Sequence, residues 1–259
     1  MKISIYFTFL LPLNLTAAET VNYPAPLTLF TQQGGEVVSS FKAPANMTGY
    51  IANFNNETIT LYVTEDEKYL FTGPLMDAEG NSVGEEKLNA YVNGPKAVKN
   101  WQALEDSHWV RDGSESAKRI VYTFTDPNCP YCKQLWHKAR PWVDSGKVQI
   151  RHILVGIIKA DSLGKAAAIL SADNPEEQLN KLSGSGLFQS IKPIENPEKM
   201  IRDKLINNYK TMLSLGARAT PATFYLNANG EFNKQIGLPP ESILADIFAP
   251  NDGKQRLVR

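Results

Sequence analysis

The chain has two cysteines, and they stand three positions apart in the run Cys129-Pro130-Tyr131-Cys132. Their surroundings limit what this region can fold into. Residues Ile120-Val121-Tyr122-Thr123-Phe124-Thr125 are β-branched and aromatic and read as a strand. Asp126-Pro127-Asn128 is a turn signal, and the run from Lys133 to Arg140 is compatible with a helix. The pair therefore sits where a strand feeds a helix, with Cys129 at or near the helix N-terminus. Pro130 fits the first helical turn, where its missing N–H removes no intrahelical bond. A structural staple is a poor reading, because so small a loop removes little chain entropy. Zinc is also poor. One CxxC supplies two ligands of the four a structural site needs, and His108, His137 and His152 form no paired ligand motif. A redox dithiol remains.

Unpaired backbone N–H groups and the helix dipole favour an anion at a helix start. Cys129 is thus expected to ionise readily and to act as the attacking thiolate. Cys132, one turn further in, is expected to be less exposed and to resolve the mixed disulfide. A fall of the Cys129 pKa to about 5 from ~8.5 stabilises the thiolate by roughly 2.7 kcal/mol at pH 7. That makes the disulfide about 60 mV more oxidising.

The start of the chain has a different character. Lys2 precedes an apolar stretch from Ile3 to Leu15, followed by the small residues Thr16-Ala17-Ala18. This order predicts a signal peptide over residues 1–18 and export. The stretch is short and interrupted for a span of ~20 residues, so stable membrane insertion is not expected. Of the 259 residues, 27 are Lys or Arg and 27 are Asp or Glu, a balance that argues against nucleic acid as a partner. Hydrophobic residues make up 42%, enough for globular folding in one or two domains.

A second constellation lies at Ala219-Thr220-Pro221-Ala222-Thr223-Phe224-Tyr225-Leu226, followed by the turn Asn227-Ala228-Asn229-Gly230 and the extended stretch Glu231 to Ile236. By itself Pro221 reads as a trans proline at a strand start. A strand, a CxxC opening a helix, Thr-Pro before a hairpin and a C-terminal helix together resemble the thioredoxin fold. The resemblance implies a cis Pro221 against the dithiol, with Thr220 offering backbone groups to an extended substrate. One position departs from thioredoxin: Thr123 stands where that protein has a buried acid. The nearest acid, Asp126, reads as a turn residue rather than a catalyst.

The run Asp126 to Gln134 is similar to the active site of the DsbC/DsbG family of periplasmic thiol-disulfide interchange proteins. Residues 139–148, Ser107-His108-Trp109, Leu154-Val155-Gly156 and Ile236-Gly237-Leu238-Pro239 are also family-like, and Pro130 favours the DsbG branch. The resemblance implies an α+β N-terminal dimerisation domain over residues 19–92 and a helical linker over 93–112. A thioredoxin-like α/β catalytic domain follows over 113–259, with a helical insertion at about 161–216. Strand-like stretches at Val37 to Ala43 and Thr58 to Val63 fit this plan. So do a helix-compatible run from Pro95 to Trp109 and helical parts at Ala166 to Leu170 and Met200 to Leu215. The family pattern implies a V-shaped homodimer in the periplasm, kept reduced by a membrane reductase of the DsbD type. Its clients are oxidised or misfolded periplasmic proteins, and it uses no metal or organic cofactor. The chemistry implied is disulfide isomerisation or reduction of sulfenylated cysteines. A dithiol oxidase and a chaperone binding unfolded chains in the dimer cleft are the rival readings. His137 is expected on the surface, and Trp109, Trp136 and Trp142 in packing roles. Tyr131 either tunes the dithiol or fills space.

Overall fold

The computed structural model describes residues 22–184 and 191–249. The expected signal peptide lies outside the described residues. A short helix α1 (Ala25–Gln32) leads into an antiparallel sheet of β1 (Glu36–Lys42), β2 (Thr48–Phe54), β3 (Glu57–Val63) and β4 (Leu70–Thr72), in that spatial order. Asn55 and Asn56 both take positive φ at the β2–β3 turn, a conformation asparagine tolerates better than most residues. Leu27 and Phe30 of α1 pack on Ala52 and Leu61 to form the core of this unit. A small ribbon, β5 (Leu75–Met76) with β6 (Ser82–Val83), follows the sheet.

The helical connection begins earlier than the sequence pattern marks. Helix α2 (Glu85–Tyr91) runs into a wide turn at Val92–Lys96 and then α3 (Ala97–Glu105). Gly94, at φ −107° and ψ −106°, breaks the helical path, and Pro95 cannot donate the hydrogen bond that would restore it. Trp109, expected at the end of this helix, instead opens a strand, β7 (Trp109–Gly113). The second sheet thus starts before residue 113, because alternate residues of 109–113 are buried against it.

That sheet contains β7, β8 (Arg119–Thr125), β9 (Val148–Leu154), β10 (Ala222–Leu226) and β11 (Phe232–Ile236), in the order β11-β10-β8-β9-β7. β8 and β9 are parallel and are joined by α4 (Pro130–Val143); the other pairings are antiparallel. A parallel pair needs a crossover of this kind, which sets α4 against one sheet face. The insertion supplies α5 (Ser162–Leu170), α6 (Pro175–Gly184) and α7 (Lys199–Ser214), and α8 (Glu241–Phe248) closes the fold. Helix α1 spans only eight residues, and α6 carries only two leucines, so neither stands out in the sequence.

Alternation along β8 divides the core. Tyr122 and Phe124 pack with Leu104, Met212 and Phe224 on one face. Val121 packs with Leu135, Ala139, Ile150 and Phe248 on the other. Each large side chain so buried contributes roughly 1.5–3 kcal/mol. The result is a rigid base beneath the end of β8, where the dithiol lies.

Candidate active site

Cys129 is the N-cap of α4, with φ −80° and ψ 113°, and Pro130 is the first helical residue. The Cys132 backbone N–H donates to Cys129 Sγ at 3.2 Å. A sulfur thus takes the capping position that serine or aspartate oxygens usually fill. The Cys129 thiol donates to the Thr220 carbonyl at 3.3 Å, and the Thr220–Pro221 peptide is cis. Thr220 therefore lies against both cysteines. The Thr220 hydroxyl is buried without a regular hydrogen-bond partner and lies toward the sulfurs.

The two thiols differ in environment but not in exposed area: both are 5% exposed, against the expectation that Cys132 would be the less exposed. The Cys129 pKa is lowered to about 6, chiefly by the hydrogen bond from the Cys132 thiol. Burial opposes this, while Thr220 and the backbone N–H groups of Cys132 and Tyr131 assist it. The Cys132 thiol thus has the largest effect, while the backbone N–H groups at the helix start act in the direction the sequence implies. Cys132 is pushed well above its ordinary value, first by burial and then by the neighbouring Cys129. With a fall from 9.0 to about 6, the Cys129 thiolate is favoured at pH 7 by on the order of 1 kcal/mol. The gain stabilises the reduced fold fully above the unfolded value and disappears as pH falls through about 6. It makes the disulfide more oxidising, by less than the lower expected pKa implies.

Asp126 is a turn residue, as expected, since its carbonyl accepts from Cys129 N–H at 2.9 Å. It is also a buried tie. Its carboxylate accepts from the N–H groups of Asn128, Ile157 and Ile158 and from the Ser162 hydroxyl, joining the β8 turn to the loop after β9. Asn128 is held in turn by Asp161, Ser162 and Lys165. Thr123 faces Thr223 at 3.2 Å, so neither an acid nor a base occupies that buried position. Tyr131 is 55% exposed and does not fill the core. His137 is exposed, Trp142 packs on Phe248, and Arg140 stacks on Trp136 at 3.8 Å.

Sequence reasoning missed a polar chain on the α4 side of the sheet, formed by Thr125, His152, Asp112 and Arg140. The only sequence signal was a polar residue at inward positions of three separate segments. A cavity of about 220 Å³ opens beside the dithiol and is lined by Thr125, Asp126, Asn128, Cys129, Cys132 and Lys165, among others. No cluster of His, Cys, Asp or Glu suited to a metal occurs among the described residues. None of the described helices is long and apolar enough to cross a membrane.

A dithiol capping a helix and facing a cis proline defines a thioredoxin-like thiol-disulfide oxidoreductase, and residues 111–249 match the thioredoxin-like domain family. Comparison with known proteins narrows this class. The chain is 44% identical over 235 residues to the thiol:disulfide interchange protein DsbG of Pseudomonas aeruginosa, covering 91% of each. It is 37% identical to DsbG of Escherichia coli, over 87% of this chain and 91% of that one. It is 23% identical to DsbC of Pasteurella multocida, over 72% and 74%. The chain belongs to the DsbG family of thiol:disulfide interchange proteins.

Proposed function

We propose that Cys129 is the nucleophile and Cys132 the resolving thiol of a periplasmic enzyme that works from its reduced state. The asymmetry of the pair supports this reading most directly. One thiol is poised as thiolate near pH 6, and the other is held protonated by burial. In isomerisation the Cys129 thiolate attacks a client disulfide, and the freed client thiol then attacks elsewhere and releases Cys129. In sulfenic-acid reduction Cys129 displaces the oxidised oxygen as water, and Cys132 resolves the mixed disulfide. The second route leaves a Cys129–Cys132 disulfide, which calls for a reductant of the DsbD type. Thr220 and Pro221 hold the extended client chain beside Cys129, with backbone pairing providing affinity without sequence selectivity. Pro130 and Tyr131 complete the motif, and the N-terminal unit is the dimerisation domain of a homodimer.

Trapping the thiols in intact cells with a mass-shifting alkylating reagent tests the reading. A mainly double-modified protein is expected. A mainly unmodified protein would overturn the reduced resting state and favour an oxidase. The mature chain is expected to sediment as a dimer, and a monomer would remove the client cleft from the reading.

A further inference from the structure

Four side chains from three strands and α4 form a buried polar chain that the chemistry above does not use. Thr125 Oγ1 lies 2.9 Å from His152 Nδ1, and His152 Nε2 lies 3.4 Å from Asp112 Oδ2. Arg140 donates to both Asp112 oxygens, one bond being 3.0 Å. Thr125, His152 and Asp112 are all buried, and such networks are costly unless each member is satisfied. A carboxylate–arginine pair alone would not need an imidazole bridging it to the active-site strand. Thr125 lines the cavity that also holds Cys129 and Cys132. The Asp126 backbone N–H, next to Thr125 in the chain, reaches Cys132.

The resolving step needs a proton acceptor. Cys132 must lose its proton where burial opposes ionisation. Thr123, at the position of the buried acid in thioredoxin, offers only a hydroxyl bonded to Thr223. The Asp126 carboxylate already accepts four hydrogen bonds. We infer that His152 is a positioning residue for resolution, receiving the Cys132 proton through the Thr125 hydroxyl and a water in the cavity. This rests on the reading of Cys132 as the resolving thiol.

In the neutral tautomer Nε2–H points to Asp112, and Nδ1 accepts from Thr125. Cys132 passes its proton along this path and His152 becomes imidazolium, steadied by Asp112. The Cys132 thiolate attacks Cys129 Sγ. The Cys129–Cys132 bond forms, the bond from Cys129 to the client sulfur breaks, and the client leaves with the electron pair as thiolate. The proton returns by the same path to that sulfur or to solvent. The enzyme pair is oxidised and the client sulfur reduced. Asp112 on β7 faces His152 and carries Arg140 of α4, itself paired with Asp144; the cavity that Thr125 lines holds the two thiols, Asp126, Lys133, Lys159 and Lys165.

Stopped-flow reaction of the full reduced chain with dithionitrobenzoate separates the steps. The first coloured thiol reports attack by Cys129 and the second reports resolution by Cys132. In His152→Asn and Thr125→Val the ratio of second- to first-phase rate is expected to fall by about 100-fold or more. Thr125→Ser, which keeps the hydroxyl, should retain the wild-type ratio. The wild-type second phase should level off as pH rises, whereas that of His152→Asn should keep climbing in proportion to hydroxide. An unchanged ratio in both variants, or an equal fall of both phases, would overturn the relay. If the variants do not fold, the wild-type profile decides. A second phase proportional to hydroxide over about pH 5 to 9 would reject the relay. Failure of the wild type to release a second thiol would instead reject Cys132 as the resolving group.

Discussion

Replacing Cys132 by alanine removes the hydrogen bond that contributes most to the low Cys129 pKa. A hydrogen bond to a charged group contributes about 1.5–3 kcal/mol, equivalent to roughly one to two pH units. The Cys129 midpoint is therefore expected to rise from about 6 by that amount in Cys132→Ala. Cys132→Ser, which keeps a donor, should rise less. The rate of iodoacetamide alkylation against pH measures the midpoint in both variants, since only the thiolate reacts. The sign matters near neutrality. The wild-type thiolate is mostly formed at pH 7, whereas the alanine variant should react several-fold more slowly there and catch up at higher pH. A midpoint unchanged in Cys132→Ala would refute the reasoning. It would mean that the backbone N–H groups and the helix start alone set the acidity.

Three further outcomes are expected. Arg119 is fully buried and donates to the carbonyls of Leu226, Asp246 and Ile247, so Arg119→Met should cost about 2–4 kcal/mol in urea unfolding. Gly113→Ala should lower stability by at least about 1 kcal/mol, read from the thermal midpoint. Its φ is +108°, and an added Cβ would meet the Val148 carbonyl at 2.6 Å. Asp126→Ala leaves the N–H groups of Ile157 and Ile158 without their acceptor. Hydrogen exchange at those two positions should accelerate at least about tenfold, while Gly113 and its neighbours on β7 stay protected.

The local chemistry of the site was legible in the chain. β-branched residues before Asp126-Pro127-Asn128, then Cys129-Pro130, fix a strand, a turn and a helix start from steric and hydrogen-bonding preferences that act over a few residues. The placement of Thr220 and Pro221 beside the dithiol became legible only by family resemblance, because nothing local in Ala219 to Ala222 requires a cis peptide. The end of the linker is ambiguous in the sequence, because Trp109 satisfies a helical apolar period and a strand equally well. Pairing with Ile153 across the sheet resolves that ambiguity in favour of β7.

The reactive pair and the strand-to-helix junction that carries it follow from local sequence alone, because both depend on neighbours within one turn. The tertiary structure decided what faces the pair from afar: the Thr220 carbonyl accepts from Cys129 across 91 positions, and the Thr220 side chain adds to the nearer hydrogen bonds that lower the Cys129 pKa. It also placed His152 between Thr125 and Asp112, partners separated from it by 27 and 40 positions. Residues at such separations meet only once the sheet order is set, and burial then gives their few hydrogen bonds a strength they would lack in water.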